Sequence, residues 1–83
     1  MTNNEFDILD ELYFVCTFDD LVQKLDLSED EIKNTLLVLL QKEWIRCLEN
    51  EVEIAVSLDE YLVGYKKYTY IASKKGLFAH NTL

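Results

Sequence analysis

The stretch Leu27–Leu48, LSEDEIKNTLLVLLQKEWIRCL, is the key to this chain. Ser28 is a good N-cap residue and Glu31 stands three positions later, the spacing of a capping box. In that arrangement the serine oxygen accepts from the Glu31 amide, and the glutamate accepts from the Ser28 amide. Leu27, just before the cap, is placed to staple onto Ile32. At about 100° of rotation per residue, Ile32, Leu36, Leu39 and Leu40 share one face. Trp44, Ile45, Arg46, Cys47 and Leu48 follow, a run that favours a strand. The stretch therefore predicts a capped amphipathic helix that runs directly into a strand.

Upstream, Thr2 or Asn4 can cap a first helix in which Phe6, Leu9, Leu12 and Tyr13 recur at helical spacing. Asp7, Asp10 and Glu11 lie between them, and the early acids suit the helix dipole. Tyr13-Phe14-Val15-Cys16 leans towards strand and is expected to end that helix. Thr17 and Asp20 repeat the capping spacing, and Leu21, Val22 and Leu25 supply a short second helix. This helix cannot run far past Leu25, because Ser28 opens the next one. Helices two and three are thus expected to form a helix-turn-helix.

Downstream, Glu49-Asn50 reads as a bend. Glu51–Val56 alternates polar and apolar residues, which predicts a half-buried strand with Val52, Ile54 and Val56 inward. Ser57–Gly64 admits either a loop or one helical turn ended by Gly64. Lys67–Ala72 predicts the last strand, and Ser73–His80 a turn with a short final helix.

With 83 residues the chain makes one domain with a small core. An apolar fraction of 49% argues against disorder. Cys16 and Cys47 are isolated thiols, which suits buried, reduced cysteines in a cytoplasmic protein rather than a secreted disulfide framework. No apolar run is long enough for a membrane span, and no signal peptide is visible. The net charge is −8, and it is unevenly spread. All 16 acids fall between Glu5 and Glu60, whereas Lys66, Lys67, Lys74 and Lys75 occupy a C-terminal part free of acids.

Helix, helix-turn-helix and β-hairpin follow one another in the order of a winged helix, and two phrases strengthen that resemblance. Leu36-Leu37-Val38-Leu39-Leu40-Gln41-Lys42-Glu43-Trp44-Ile45 resembles the leucine-rich third helix and "GLI" ending of bacterial winged-helix regulators of the MarR and PadR kind. Tyr70-Ile71-Ala72-Ser73-Lys74-Lys75-Gly76-Leu77 resembles their "Y-x-L-T-x-K-G" phrase. The resemblance implies an α+β winged helix: a three-helix bundle with a helix-turn-helix and a small antiparallel hairpin or sheet. It implies, too, a DNA-binding transcription regulator. The chain departs from the family in three ways. Trp44 stands in place of the glycine before "LI", a "D-x-R" wing tip is missing, and the long dimerising helices of the MarR type have no counterpart.

If DNA is bound, the outer face of the third helix should read bases through Asn34 and Gln41, with Lys33 beside them. Lys66, Lys67, Lys74 and Lys75 would then hold phosphates from the wing and the C-terminal end. Glu29, Asp30 and Glu31 oppose this, since they stand at the helix end that would enter the groove. The alternative is an acidic protein-interaction module that uses Leu37 and Val38, an apolar strip on the same helix. Homodimerisation through that strip, or through the edge of the Glu51–Val56 strand, is a third possibility. His80 has no Cys or His at a metal spacing. A phosphate-cradling glycine loop and a nucleophile phrase are also missing, so no metal, cofactor, membrane contact or enzymatic activity is expected.

Overall fold

The computed structural model describes residues 1–82. Among these residues, five helices and a four-stranded antiparallel sheet make an α+β fold. In chain order these are α1 (Asn3–Glu11), β1 (Cys16–Thr17), α2 (Phe18–Lys24), α3 (Glu29–Gln41), β2 (Ile45–Glu49), β3 (Val52–Ile54), α4 (Leu58–Gly64), β4 (Thr69–Ala72) and α5 (Lys74–Asn81). The strands lie in the order β1-β4-β2-β3. The register pairs Cys16 with Tyr70, Ile45 with Ala72, and Cys47 with both Tyr70 and Ile54.

Capping explains why the helices begin where they do. Thr2, Thr17, Ser28 and Ser57 each accept from the amide three residues on, and the acid at that position reaches back to the cap amide. Thr2, rather than Asn4, caps α1. Ser57 turns the ambiguous segment into a real helix, so α4 and α5 join the three helices of the expected bundle.

The core lies between α1, α2, α3 and one face of the sheet. Ile32, Leu36 and Leu39 of α3 meet Ile8, Leu9 and Leu12 of α1, and Ile45, Cys47 and Tyr70 close it from the sheet. Leu40, expected among the core residues, is only half-buried at its margin. Phe6 and Tyr13 turn away from the core as well. The Phe6 ring stacks on His80 at 4.2 Å, and the Tyr13 hydroxyl bridges His80 Nδ1 and Asn81 Oδ1 at 2.8 Å each, so both residues dock α5 on α1. The inward positions of α1 are Ile8, Leu9 and Leu12.

Two tight connections shape the sheet end. α3 ends at Gln41, and Glu43, two residues on, has a left-handed φ of 62°. The Glu43 amide donates to Leu40 O and the Trp44 amide to Leu39 O, which is a Schellman closure. The position that favours glycine is thus Glu43, not Trp44. The second connection joins β2 to β3 through Asn50 and Glu51, at φ 53° and 66°, which is a type I′ hairpin one residue beyond the expected bend. The strand after it is shorter than its alternation suggested. It ends at Ile54, and Val52 is exposed at the hairpin end.

Gly76 lets α5 approach β2. A Cβ there would lie 1.9 Å from the Trp44 carbonyl oxygen. Ser73 completes the junction: its hydroxyl donates to Glu43 O at 2.7 Å and accepts from the Gly76 amide at 3.0 Å.

Candidate interaction surface

α3 presents one stripe to solvent, because its two flanks are occupied. On one flank, the start of α1 faces it across a 280 Å³ hollow lined by Thr2, Asn4 and Glu5 opposite Asn34, Thr35 and Val38. The buried Glu5 carboxylate there accepts from Lys42, at the C-terminal end of α3. Burial would raise the Glu5 carboxyl, but the Lys42 ammonium and the Thr2 amide and hydroxyl outweigh it, so Glu5 titrates below the ordinary glutamate range.

On the other flank lies α4. Tyr61 is buried, and its hydroxyl donates to the Lys33 carbonyl at 2.6 Å. Desolvation pushes that hydroxyl well above the ordinary tyrosine range, so it stays a donor. From below, the Tyr70 hydroxyl donates to Tyr65 O at 2.7 Å, where α4 ends. Gly64 is buried against the ring of Tyr68, too close for a Cβ without a shift. Three tyrosines thus hold a helix too short to hold itself.

Between these flanks Asp30, Asn34, Val38 and Gln41 are exposed in a line. The outer face expected from the helical period is therefore the face left open. Leu37 is half-buried against the core, while Val38 is 40% exposed. Leu37, Leu40 and Gln41 share a 130 Å³ hollow with Val56 and Leu58. Leu62, one helical turn from Leu58, is exposed too, as is Val63 at 88%. Leu58 carries the apolar strip from α3 onto α4, and sequence reasoning missed it. The signal was present, since Ser57-Leu58-Asp59-Glu60 has the same spacing as the box at Ser28.

The lysines have different neighbours. Lys33 lies 5.1 Å from the Tyr65 ring centroid. Lys66 is 3.6 Å from Glu29, and Lys67 is 3.4 Å from Glu49, so both are answered by the acidic body of the same chain. Lys74 and Lys75 form no ion pair among the described residues, and they line a separate groove at the sheet end. The start of α3 keeps Asp30 and Glu31 exposed, and Glu31 titrates below its usual range because the Ser28 amide and hydroxyl hold its charged form.

No helix of the described residues is long and apolar enough to cross a membrane. No group of three or more His, Cys, Asp or Glu among them could hold a metal ion. Both cysteines are free and buried, and burial first, then Glu49, pushes the Cys47 thiol up to about 11. Comparison with family models, with curated proteins and with solved structures finds no match.

Proposed function

We propose that this chain is a winged-helix domain that serves as an acidic protein-interaction module, with the open stripe of α3 and the outer face of α4 as its contact surface. The scaffold part of the reading is supported by the element order: a helix, two helices joined by the short turn Leu25–Ser28, then β2 and β4 side by side. β3 and α4 stand between those strands in the chain, in the place of a wing.

One observation carries the functional part: Lys66, a phosphate ligand in the DNA reading, sits against Glu29 at the start of α3. That helix end would have to enter a DNA groove, and it brings Glu29, Asp30 and Glu31 with a single lysine to answer them. Carboxylates there repel phosphates, and phosphate contacts supply most non-specific affinity. The same surface suits a protein. Val38 of α3 and Leu58 and Leu62 of α4 give exposed apolar area, and Asp30, Glu31 and Asp59 are exposed on the same two helices. A complementary partner is a helix that presents leucine-like side chains between lysines or arginines.

The test is a paired titration at about 50 mM salt, where phosphate contacts are strongest. Mixed-sequence duplex DNA is expected to give no retardation. A cationic amphipathic helical peptide is expected to shift the amides of Asn34, Val38 and Leu58, and Val38→Asp to abolish that shift. Retardation of the duplex that is lost on Lys66→Gln or Lys74→Gln returns the domain to DNA binding, with Asn34 and Gln41 as its base readers.

A further inference from the structure

The sheet contains a gap that the register predicts should be closed. Cys47 pairs with Ile54, so a ladder continued by two residues would set Val56 opposite Ile45. The Ser73 amide donates to Trp44 O, in register with the β2–β4 ladder, so Trp44, Arg46 and Leu48 direct their peptide groups at β4. Ile45 must then direct its N–H and C=O to the other side, towards Val56. No backbone hydrogen bond forms there among the described residues, because β3 ends at Ile54 and the chain swings away to Ser57 and α4. Ile45 lines the groove on that side, and its N–H and C=O have no backbone partner among those residues.

That gap opens into a groove of about 490 Å³. Its apolar lining comes from Leu40, Ile45, Cys47, Ile54 and Val56. Ser73, Lys74 and Lys75 border it on the α5 side. Among its charged residues, Arg46 is held by Glu53 at 2.7 Å, and Glu43 stands at the margin. Lys74 and Lys75 are exposed and have no ion-pair partner among the described residues, in a chain that carries twice as many acids as bases.

We infer that this groove is a strand-addition site for an extended acidic peptide. The peptide would pair its backbone with the free N–H and C=O of Ile45, set alternate apolar side chains against Ile54 and Val56, and place carboxylates at Lys74 and Lys75. A volume of this size takes a few residues, so recognition is of a short segment rather than a second domain. A second copy of the chain is the less suitable occupant. The edges it would offer are β1, of two residues, and β3, of three, whose one acid, Glu53, is already engaged by Arg46. The site meets the α3–α4 strip only at Leu40 and Val56, and it stands or falls without the function proposed above.

The probe is an acetylated, amidated ten-residue peptide alternating aspartate with valine, titrated into the full chain and followed by amide chemical shifts and hydrogen exchange. Saturable binding is expected, with the largest shifts at Ile45, Val56 and Lys75 and with slowed exchange of the Ile45 amide. A peptide with lysine in place of aspartate should not bind. Lys74→Glu with Lys75→Glu should weaken the acidic peptide roughly ten-fold or more, while Val38→Asp leaves it unchanged. Both lysines are exposed, so the double variant keeps its fold, and its amide spectrum verifies that. No saturation, equal binding of both peptides, or shifts confined to α3 and α4 would overturn the proposal. Concentration-dependent shifts at Ile45 without any peptide would overturn it as well, by showing that another copy fills the groove.

Discussion

Ser28 and Ser57 start their helices with the same two hydrogen bonds, 3.0 and 3.1 Å in α3 and 2.9 and 3.2 Å in α4. Beyond their caps the two helices diverge. α3 continues for 13 residues and buries Ile32, Leu36 and Leu39 completely. α4 runs for 7, turns Tyr61 and Gly64 inward, and leaves Leu58, Leu62 and Val63 outside. A helix that short gains little from its own turns, and hydroxyls donated to distant carbonyls hold it in place. A cap thus says where a helix begins and nothing about what will hold it. The helix held by tertiary hydrogen bonds is also the one with apolar surface to spare.

The contrast is most severely tested in the core of α3. Leu36→Ala should cost about 2–5 kcal/mol in a denaturant melt and destabilise the whole domain, a large share of what a domain this size possesses. A cost under about 1 kcal/mol would mean that α3 is held from elsewhere, as α4 is.

The caps come next. Ser28→Ala should cost about 0.5–2 kcal/mol in global stability, because α3 is integral to the core. Ser57→Ala should leave the melt nearly in place and instead speed amide exchange across Leu58–Gly64. Equal global effects of the two substitutions would erase the distinction drawn between the helices.

Tyr61→Phe removes one hydroxyl and leaves the ring. A loss of about 0.5–1.5 kcal/mol is expected, read as faster exchange in α4 with little change in α1 or α2. An unaltered exchange pattern would show that the ring alone secures α4.

The ion pairs at the two ends of α3 differ in burial, and pH separates them. Glu5 has its folded pKa lowered, so the stability it contributes is present above the ordinary glutamate range and is lost as pH falls through the folded value. The melting temperatures of the natural chain and Glu5→Gln should therefore differ most near neutrality and converge once pH has fallen below the folded value, under the ordinary glutamate range. A gap that does not narrow as pH falls through the carboxylate range would assign the stabilisation to something other than the Lys42 pair. At the other end, Lys66 and Glu29 are both well exposed. Lys66→Gln is expected to change stability by no more than about 0.5 kcal/mol, the smallest effect of the series.

Much of this was legible in the residues. The caps at Thr2, Thr17 and Ser28 lie where their three-residue spacing puts them, and the inner and outer faces of α3 follow its period, with Leu40 half-buried at the boundary. Phe6 and Tyr13 show where period alone misleads. They are spaced like core positions, but α5 supplies a second surface, and an aromatic beside His80 satisfies the same pattern as one in the core. The acidic body and basic end were equally plain. Composition could not say which acids would meet the lysines: Lys66 and Lys67 find Glu29 and Glu49, far away in the chain.

Local sequence was enough to say where helices start, which side of α3 faces water, and where the charge lies. These depend on hydrogen bonds and side-chain rotations that span three or four residues, so neighbours along the chain suffice. Three-dimensional packing was needed to lay α4 against α3, to bring β4 into the sheet between β1 and β2, and to leave Ile45 without a backbone partner towards Val56. Those outcomes depend on which distant groups come within hydrogen-bond reach. Tyr61 meets Lys33 across 28 positions, and no local pattern records such a meeting.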